Sequence, residues 1–440
     1  MFTNKELFRL IVPLMIELVL AVTVGMADVM MISVAGEAAV SGVSLVDMVN
    51  VLIINLFAAL ATGGAVVSAQ CIGKKDRDMA CESAHQLLLV TVIISLLLMV
   101  FVLVAKKPLL RLLFGTIDDK VMKNALTYMT ITALSYPFLA LYQSCSALFR
   151  SMGNSRISMV ISFFMNIINI GGNAVCIFLL HMGIAGVAVP SLISRGIAAV
   201  VMLVIIRNPK NQIYIGKEVK LHINWVMIRK ILHIGIPNGL ENSLFQLGRV
   251  LVVSIIAGFG TIEIAANAVA NNFDALGYIP AQALGLTMIA VVGQCVGCGD
   301  YEQARFYTKK LMKISFVSTA VVNGIILLTL PFTLQIYHLS EETLKLAAIL
   351  ILIHDGCGIL LIPPAFTLPN ALRASNDVKF TMVWSIFSMW TFRISASFIF
   401  AKFFGLGALG VWIAMIMDWI FRTICFVLRF KGNKWQLHQI

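Results

Sequence analysis

Apolar and polar positions alternate along this 440-residue chain on a single length scale. Apolar runs of about 20 residues or more, each enough to cross a bilayer core as one helix, recur throughout. They fall at 7–34, 47–72, 86–105, 122–149, 157–180, 183–206, 232–258, 270–297, 311–332, 342–370, 379–401 and 405–428. The pattern predicts an all-α integral membrane fold of twelve transmembrane helices. The most polar interruption, NPKNQIYIGKEVKLHINWVMIRK, separates six runs from six. It is read as a cytoplasmic linker over 208–230 between bundles at 1–207 and 231–440.

The two sets of runs repeat one another. A shift of 224 residues places Pro13 on Pro237, Glu17 on Glu241, Gly36 on Gly260, Gln70 on Gln294, Cys71 on Cys295, Asp76 on Asp300 and Ala80 on Ala304 without a gap. A shift of 223 places Arg150 on Arg373 and Met159 on Met382. The chain is therefore two pseudo-symmetric six-helix bundles. Because six is even, both enter the membrane in the same direction, a parallel repeat about an axis along the membrane normal. Transporters with internal repeats hold substrate where the repeats meet and rock one half against the other. A central cavity is the expected site.

Composition agrees with the membrane class: 60% apolar, 12% charged and a mean hydropathy of +0.93, against roughly 45–50% and about 25% for soluble domains. A net charge of +12 raises nucleic acid as a partner, but most basic residues sit in the connections between runs and act as a topology signal. With the N-terminus inside, 22 of the 33 basic residues lie on the cytoplasmic side and seven outside. Both termini are expected in the cytoplasm, with no nucleic-acid partner. The eight cysteines form no disulfide framework, and Cys295-x-x-Cys298 lacks the second ligand pair of a zinc site. The charged N-terminal segment runs into a span longer than a signal peptide's apolar region, with no small-residue cleavage site before it, so the first helix is expected to stay.

The chemistry lies in polar residues inside the runs. Asp28 is deep in the first run with no Lys or Arg of its own helix placed to neutralise it. An ionisable group there is costly and marks a functional site by default. It either binds a proton or cation or is a structural acid bonded to a neighbouring helix. Its repeat counterpart is Val252, so ion chemistry at that depth belongs to the first half. Glu17 and Glu241 are symmetric and lie near helix starts, where they cap or brace the cytoplasmic end or line a gate. Gln246 and Arg249 follow Glu241 in its helix, and Arg249 is expected to pair with an acid such as Glu241.

Asn166, Asn169 and Asn173 share one helix face, either joining helices or lining an ion pathway. Asp355 stands beside His354 near mid-membrane, as a neutral pair or as a proton or substrate site. Asp418 and Arg422 are spaced for mutual neutralisation, and Arg393 is placed to join them in a structural or gating network. Pro363, Pro364 and Pro369 are bending points, and the 22 methionines suit a soft cavity wall, although most are packing residues.

The motifs PLMIELVLAVTVGMADVMMISVAG, GIPNGLENSLFQLGRVLVVSIIAGFGTIEIAANAVA, VVGQCVGCGDYEQAR, LFRSMGNSR, MWTFRISASFIF and GLGALGVWIAMIMDWIFRTICFVLRF together resemble the multidrug and toxic compound extrusion (MATE) family. They look most like its bacterial branch related to DNA-damage-inducible protein F, over nearly the whole chain. The resemblance implies a secondary active antiporter that exports cationic or amphipathic drugs and toxins by alternating access, in exchange for protons or sodium ions. Asp28 matches the family's first-helix aspartate implicated in ion coupling and is the implied sodium position if sodium is the coupling ion. Where one archaeal type carries a second aspartate this chain has Asn173, which leaves Asp28 more isolated. A glutamate of some relatives, a turn deeper than Glu241, is replaced by Phe245.

Ion coupling is thus assigned to Asp28, Asn169 and Asn173, and substrate contact or gating to Glu241, Gln246, Arg249, Asp355, Arg393 and Asp418. No cofactor beyond the coupling ion, a monomeric state, lipid contacts and a plasma-membrane location are expected. The alternative is a flippase for a lipid-linked saccharide, which needs several basic cavity residues; Arg249, Arg393 and Arg195 are those available. An enzyme finds no zinc motif, paired catalytic carboxylates or nucleophile with its base.

Overall fold

A computed structural model describes residues 2–34, 36–115, 118–216, 222–337 and 339–437, and among them there are helices and turns but no strand. The helices are α1 (Asn4–Ser33), α2 (Glu37–Gly73), α3 (Arg77–Phe114), α4 (Asp119–Leu134 and Tyr136–Ser151), α5 (Ser155–Leu179) and α6 (Ala185–Ile206), followed by α7 (Trp225–Ala257), α8 (Thr261–Gly297), α9 (Tyr301–Tyr337), α10 (Glu341–Ala374), α11 (Val378–Phe403) and α12 (Gly407–Lys431). Eleven are long and apolar enough to cross a membrane, although α8 has a turn at Tyr278, between Thr261–Gly277 and Ile279–Gly297. The remaining one, α4, is broken at Ser135 into two 16-residue pieces. Pro137 causes the break, because it has no N–H to give and its ring crowds the preceding turn.

Several helices exceed the apolar runs that announced them. The α2 helix starts at Glu37 rather than 47, α3 covers Arg77–Phe114 rather than 86–105, and α8 starts at Thr261 rather than 270. Hydropathy marks only the most apolar stretch of each helix, whereas the polar starts of α3 and α9 are fixed by side-chain caps. Asp76 accepts from the Met79 N–H at 3.0 Å and Asp300 from the Gln303 N–H at 2.9 Å.

The chain divides into two compact units, Thr3–Gly239 and Leu240–Ile440 with Met1–Phe2. The division falls inside α7, a helix assigned by sequence to the second bundle from residue 231 onward. In the first unit α2 packs on α3 and both pieces of α4, and α1 on α5. Its core includes Val46, Phe57, Met129 and Tyr136. Gly63 of α2 meets the backbone of α7 so closely that a Cβ would strike the Ile231 carbonyl. In the second unit α8 packs on α9 and α10, and α10 and α11 pack on α12, around Leu350, Trp412 and Trp419.

The described parts of the interhelical connection 207–224 lie against the first unit. Arg77 donates to the carbonyls of Pro209 at 2.5 Å and Asn211 at 2.9 Å and lies over the Tyr214 ring. Residues 217–221 of the expected linker, with Lys217 and Lys220, lie outside the described residues.

The sequence repeat is also a repeat of backbone geometry. Apart from Gly115, positive φ among the described residues occurs in pairs: Gly36 and Gly260, Lys75 and Gly299, Gly153 and Asn376, His181 and Gly405, Gly183 and Gly407. Four of these pairs are 224 residues apart and one is 223 apart. The π-helical ends of α5 (Val175–Leu179) and α11 (Ile399–Phe403) are likewise offset by 224. Backbone shape is repeated even where side chains are not.

Candidate functional site

In the first unit α1, α5 and α6 bring four polar side chains into one chain of hydrogen bonds. Asn173 donates to Asp28 Oδ1 at 2.6 Å and lies 3.3 Å from Asn169 Oδ1, and Asn169 donates to the Ser191 hydroxyl at 2.7 Å. Both asparagines are buried and Asp28 is half-buried. The helical spacing of Asn169 and Asn173 makes this possible by presenting both amides on one face of α5. Asp28 is thus less isolated than the missing second aspartate suggested. The donors are all oxygen and amide groups, the set that suits a proton or a hard cation such as sodium.

A second group adjoins it on α2, α4 and α6. Asp47 Oδ1 accepts from Asn50 at 3.2 Å and from the Tyr128 hydroxyl at 3.3 Å, and Tyr136 donates to Asn50 Oδ1 at 2.8 Å. Arg195 donates to the Ser135 hydroxyl at 2.8 Å, at the break in α4, and its charge acts on both Asp28 and Asp47. Sequence reasoning missed Asp47 because it sat at the expected start of the second helix. With α2 beginning at Glu37, it is nearly three turns inside. An extra ten residues of plausible helix before the apolar run were the available signal.

Glu17 serves elsewhere on α1. It accepts from the Tyr142 hydroxyl at 3.1 Å and the Ser158 hydroxyl at 2.9 Å. These bonds tie α1 to the second piece of α4 and to α5.

The same backbone positions in the second unit carry different chemistry. At an offset of 224, Asp28, Asn169, Asn173, Ser191 and Arg195 correspond to Val252, Arg393, Ser397, Met415 and Trp419. Arg393 donates to the Met415 sulfur at 3.0 Å, as Asn169 donates to Ser191. Asp418 gathers the nearby cations, with Arg422 Nε at 2.8 Å, Arg393 Nη1 at 3.7 Å and the Ser388 hydroxyl at 2.5 Å. Both guanidinium groups lie over the Phe245 ring, at 5.0 and 5.4 Å.

Asp355 belongs to a larger group than the expected pair. His354 Nδ1 lies 2.6 Å from Asp355 Oδ1, and its Nε2 lies 3.0 Å from Asp274 Oδ1 on α8. The imidazole is held edge-on by Trp412 and Trp419, with centroids at 5.1 and 4.8 Å. Asp274, the repeat counterpart of Asn50, was not singled out in the sequence. Its partner lies 80 residues away in the chain, and no local pattern signals it.

The expected pairing of Arg249 with Glu241 does not form. Glu241 is buried against Arg373, with Nη2 at 2.7 Å, and Arg373 also donates to Asn370 at 2.9 Å. Glu241 and Arg373 both face inward where α7 approaches the end of α10, whereas Arg249 lies two turns further along α7 and is exposed. Gln246 and Arg249 make no hydrogen bond or ion pair among the described residues, and the charge of Arg249 acts on Asp274 and Arg393.

The MatE family pattern matches twice, over residues 13–175 and 237–399, again offset by 224. The chain is 27% identical to the uncharacterized transporter YisQ of Bacillus subtilis over 437 residues, covering 98% of this chain and 94% of that protein. It is 26% identical to the probable multidrug resistance protein NorM of Thermotoga maritima over 444 residues, covering 98% and 93%. Among solved structures it resembles a MOP superfamily transporter from Pyrococcus furiosus, described as having a binding pocket of reversed polarity, with a TM-score of 0.91 at 20% identity, covering 98% of this chain and 96% of that one. It also resembles an outward-facing multidrug resistance MATE transporter, with a TM-score of 0.89 at 20% identity and 97% and 94% coverage. With the family pattern occupying both six-helix bundles, this multi-pass membrane protein belongs to the MatE family of transporters.

Proposed function

We propose that the protein is a secondary active antiporter of the plasma membrane, with both termini cytoplasmic, that exports cationic and amphipathic small molecules in exchange for protons or sodium ions. It works as a monomer among lipids and by alternating access. The observation that carries this reading is the Asp28–Asn173–Asn169–Ser191 chain, a half-buried carboxylate with an ordered set of amide and hydroxyl partners on two neighbouring helices.

Neutralising Asp28 with a proton or cation removes the cost of burying its charge and weakens the hold of the Asn173 amide, since a hydrogen bond to a charged group is about twice as strong as a neutral one. Ion binding at Asp28 therefore biases how α1 sits against α5. Alternating access couples that bias to release of the exported molecule. Asp418 balances one of the two positive charges of Arg393 and Arg422 and draws both guanidinium groups toward itself. Of the three arginines a flippase reading would use, Arg393 is drawn to Asp418 and Arg195 is bonded to Ser135, which leaves Arg249 in place of the several basic groups that reading needs.

The test is uptake of ethidium into inside-out vesicles with proton and sodium gradients imposed separately. One gradient is expected to drive uptake in the wild type, and Asp28→Asn is expected to abolish it while the protein still inserts. Equal uptake by Asp28→Asn removes the coupling role.

A further inference from the structure

We propose that Asp47 is a second carboxylate of the coupling-ion site, working with Asp28 and with Arg195 as the shared counter-charge. The inference rests on the coupling role given to Asp28 and extends it to a residue on a different helix. Asp47 is half-buried on α2 inside a membrane-crossing helix, where an acid without a partner cation is costly. No cationic group among the described residues lies within salt-bridge distance of it. The nearby cation, Arg195, is bonded to Ser135 instead.

The donors around Asp47 are organised as they are around Asp28. Tyr136 donates to Asn50, and Asn50 and Tyr128 both donate to Asp47 Oδ1. On Asp28, Asn173 also donates to Oδ1. Among the described residues neither Oδ2 has a protein donor, so each carboxylate keeps one oxygen for a ligand. A third oxygen points the same way: Asn173 is fully buried, yet its Oδ1 has no hydrogen-bond partner. An unpaired amide oxygen on the partner of Asp28, with a second half-satisfied carboxylate whose charge acts on Asp28, is an acceptor-rich arrangement suited to a proton-bearing or hard-cation ligand.

Charge count supports the same assignment. With both acids ionised, Asp28 and Asp47 carry two negative charges against the single positive charge of Arg195, and one mobile cation balances the group. Tyr128 and Tyr136 add neutral hydroxyl donors and α5 adds amides, while the Lys106 ammonium of α3 is held by the Thr130 hydroxyl and forms no ion pair with either acid among the described residues. None of the three charges recurs in the second unit. Their counterparts are Val252, Asn271 and Trp419 on the same repeated backbone. The charges are therefore additions to a scaffold that folds with neutral residues in those places.

The test uses the purified full chain, with ethidium uptake into proteoliposomes and ion-induced thermal stabilisation in detergent as separate readouts. Asp47→Asn is expected to lower ion-driven uptake by about tenfold or more, the size of a typical coupling between linked sites. It is also expected to remove most of the upward shift in melting temperature that the coupling ion gives the wild type. Asp47→Glu is expected to restore both readouts to near wild type. Wild-type uptake and a wild-type ion-induced shift in Asp47→Asn overturn the proposal, as does a loss that Asp47→Glu does not repair.

If Asp47→Asn does not fold, Tyr128→Phe keeps the carboxylate and removes one donor. A raised ion concentration for half-maximal uptake then supports the assignment, and an unchanged one overturns it. Asp28→Asn is measured alongside. If it retains ion-driven uptake, the coupling reading itself fails. If it loses uptake while Asp47→Asn keeps it, the second carboxylate alone is rejected.

Discussion

Asn173 donates its amide hydrogen to Asp28 across 2.6 Å, a single bond that ties α5 to α1 at the carboxylate assigned to ion coupling. A hydrogen bond to a charged group contributes about 1.5–3 kcal/mol. Asn173→Leu is therefore expected to shift the ion concentration for half-maximal uptake by about tenfold or more, while maximal uptake at saturating ion is kept in part. Titrating uptake against the ion checks this, and an unmoved midpoint counts against the bond.

The buried pair Glu241 and Arg373 links α7 to the end of α10. Removing one member leaves the other charge buried and alone, which costs about 3–5 kcal/mol. Glu241→Leu and Arg373→Met are each expected to lower the melting temperature in detergent sharply. The double variant is expected to recover much of the loss, and additive losses would show that the two are not coupled.

His354 is held by two carboxylates and two indole rings. Cutting it to alanine opens a cavity and strips Asp355 of its nearest donor, for a combined loss of about 2–5 kcal/mol. Unfolding followed by tryptophan fluorescence reads both the stability and the surroundings of Trp412 and Trp419. A variant with wild-type melting and emission would mean that the imidazole is not the centre of this cluster.

Glycine supplies two contrasting tests of helix packing. Gly63→Ala forces a methyl group into the Ile231 carbonyl and is expected to cost about 1–3 kcal/mol through displaced backbone. Gly25, in α1, has nothing within 4 Å of a built Cβ, so Gly25→Ala is expected to be neutral or to stabilise the helix by up to about 1 kcal/mol. Thermal melts of the two variants side by side separate close packing from intrinsic helix preference.

Much of the architecture was legible in the chain. Spans of sufficient length and an ungapped offset of 224 predicted two bundles of six helices, and the same offset reappears in the positive-φ positions and in the π-helical ends of α5 and α11. The i, i+4 pair Asp418–Arg422 was legible too, because both residues share one helix face and meet at 2.8 Å. Helix ends were less so. Asp47 was lost with the first ten residues of α2, Glu37–Val46, because Glu37, Ser41 and Ser44 dilute their hydropathy while packing keeps them helical.

Sequence by itself determined how many long apolar stretches there are, how the chain repeats, and that acids such as Asp28 and Asp355 interrupt apolar helices, because these depend on order along the chain. Only the tertiary structure decided who meets whom. Glu241 could not be matched to Arg373, 132 residues away, rather than to Arg249 in its own helix, and Asp274 could not be matched to His354. An electrostatic partner is chosen by the rotation of each helix and by which helix lies beside it. A pattern read along one dimension carries neither quantity.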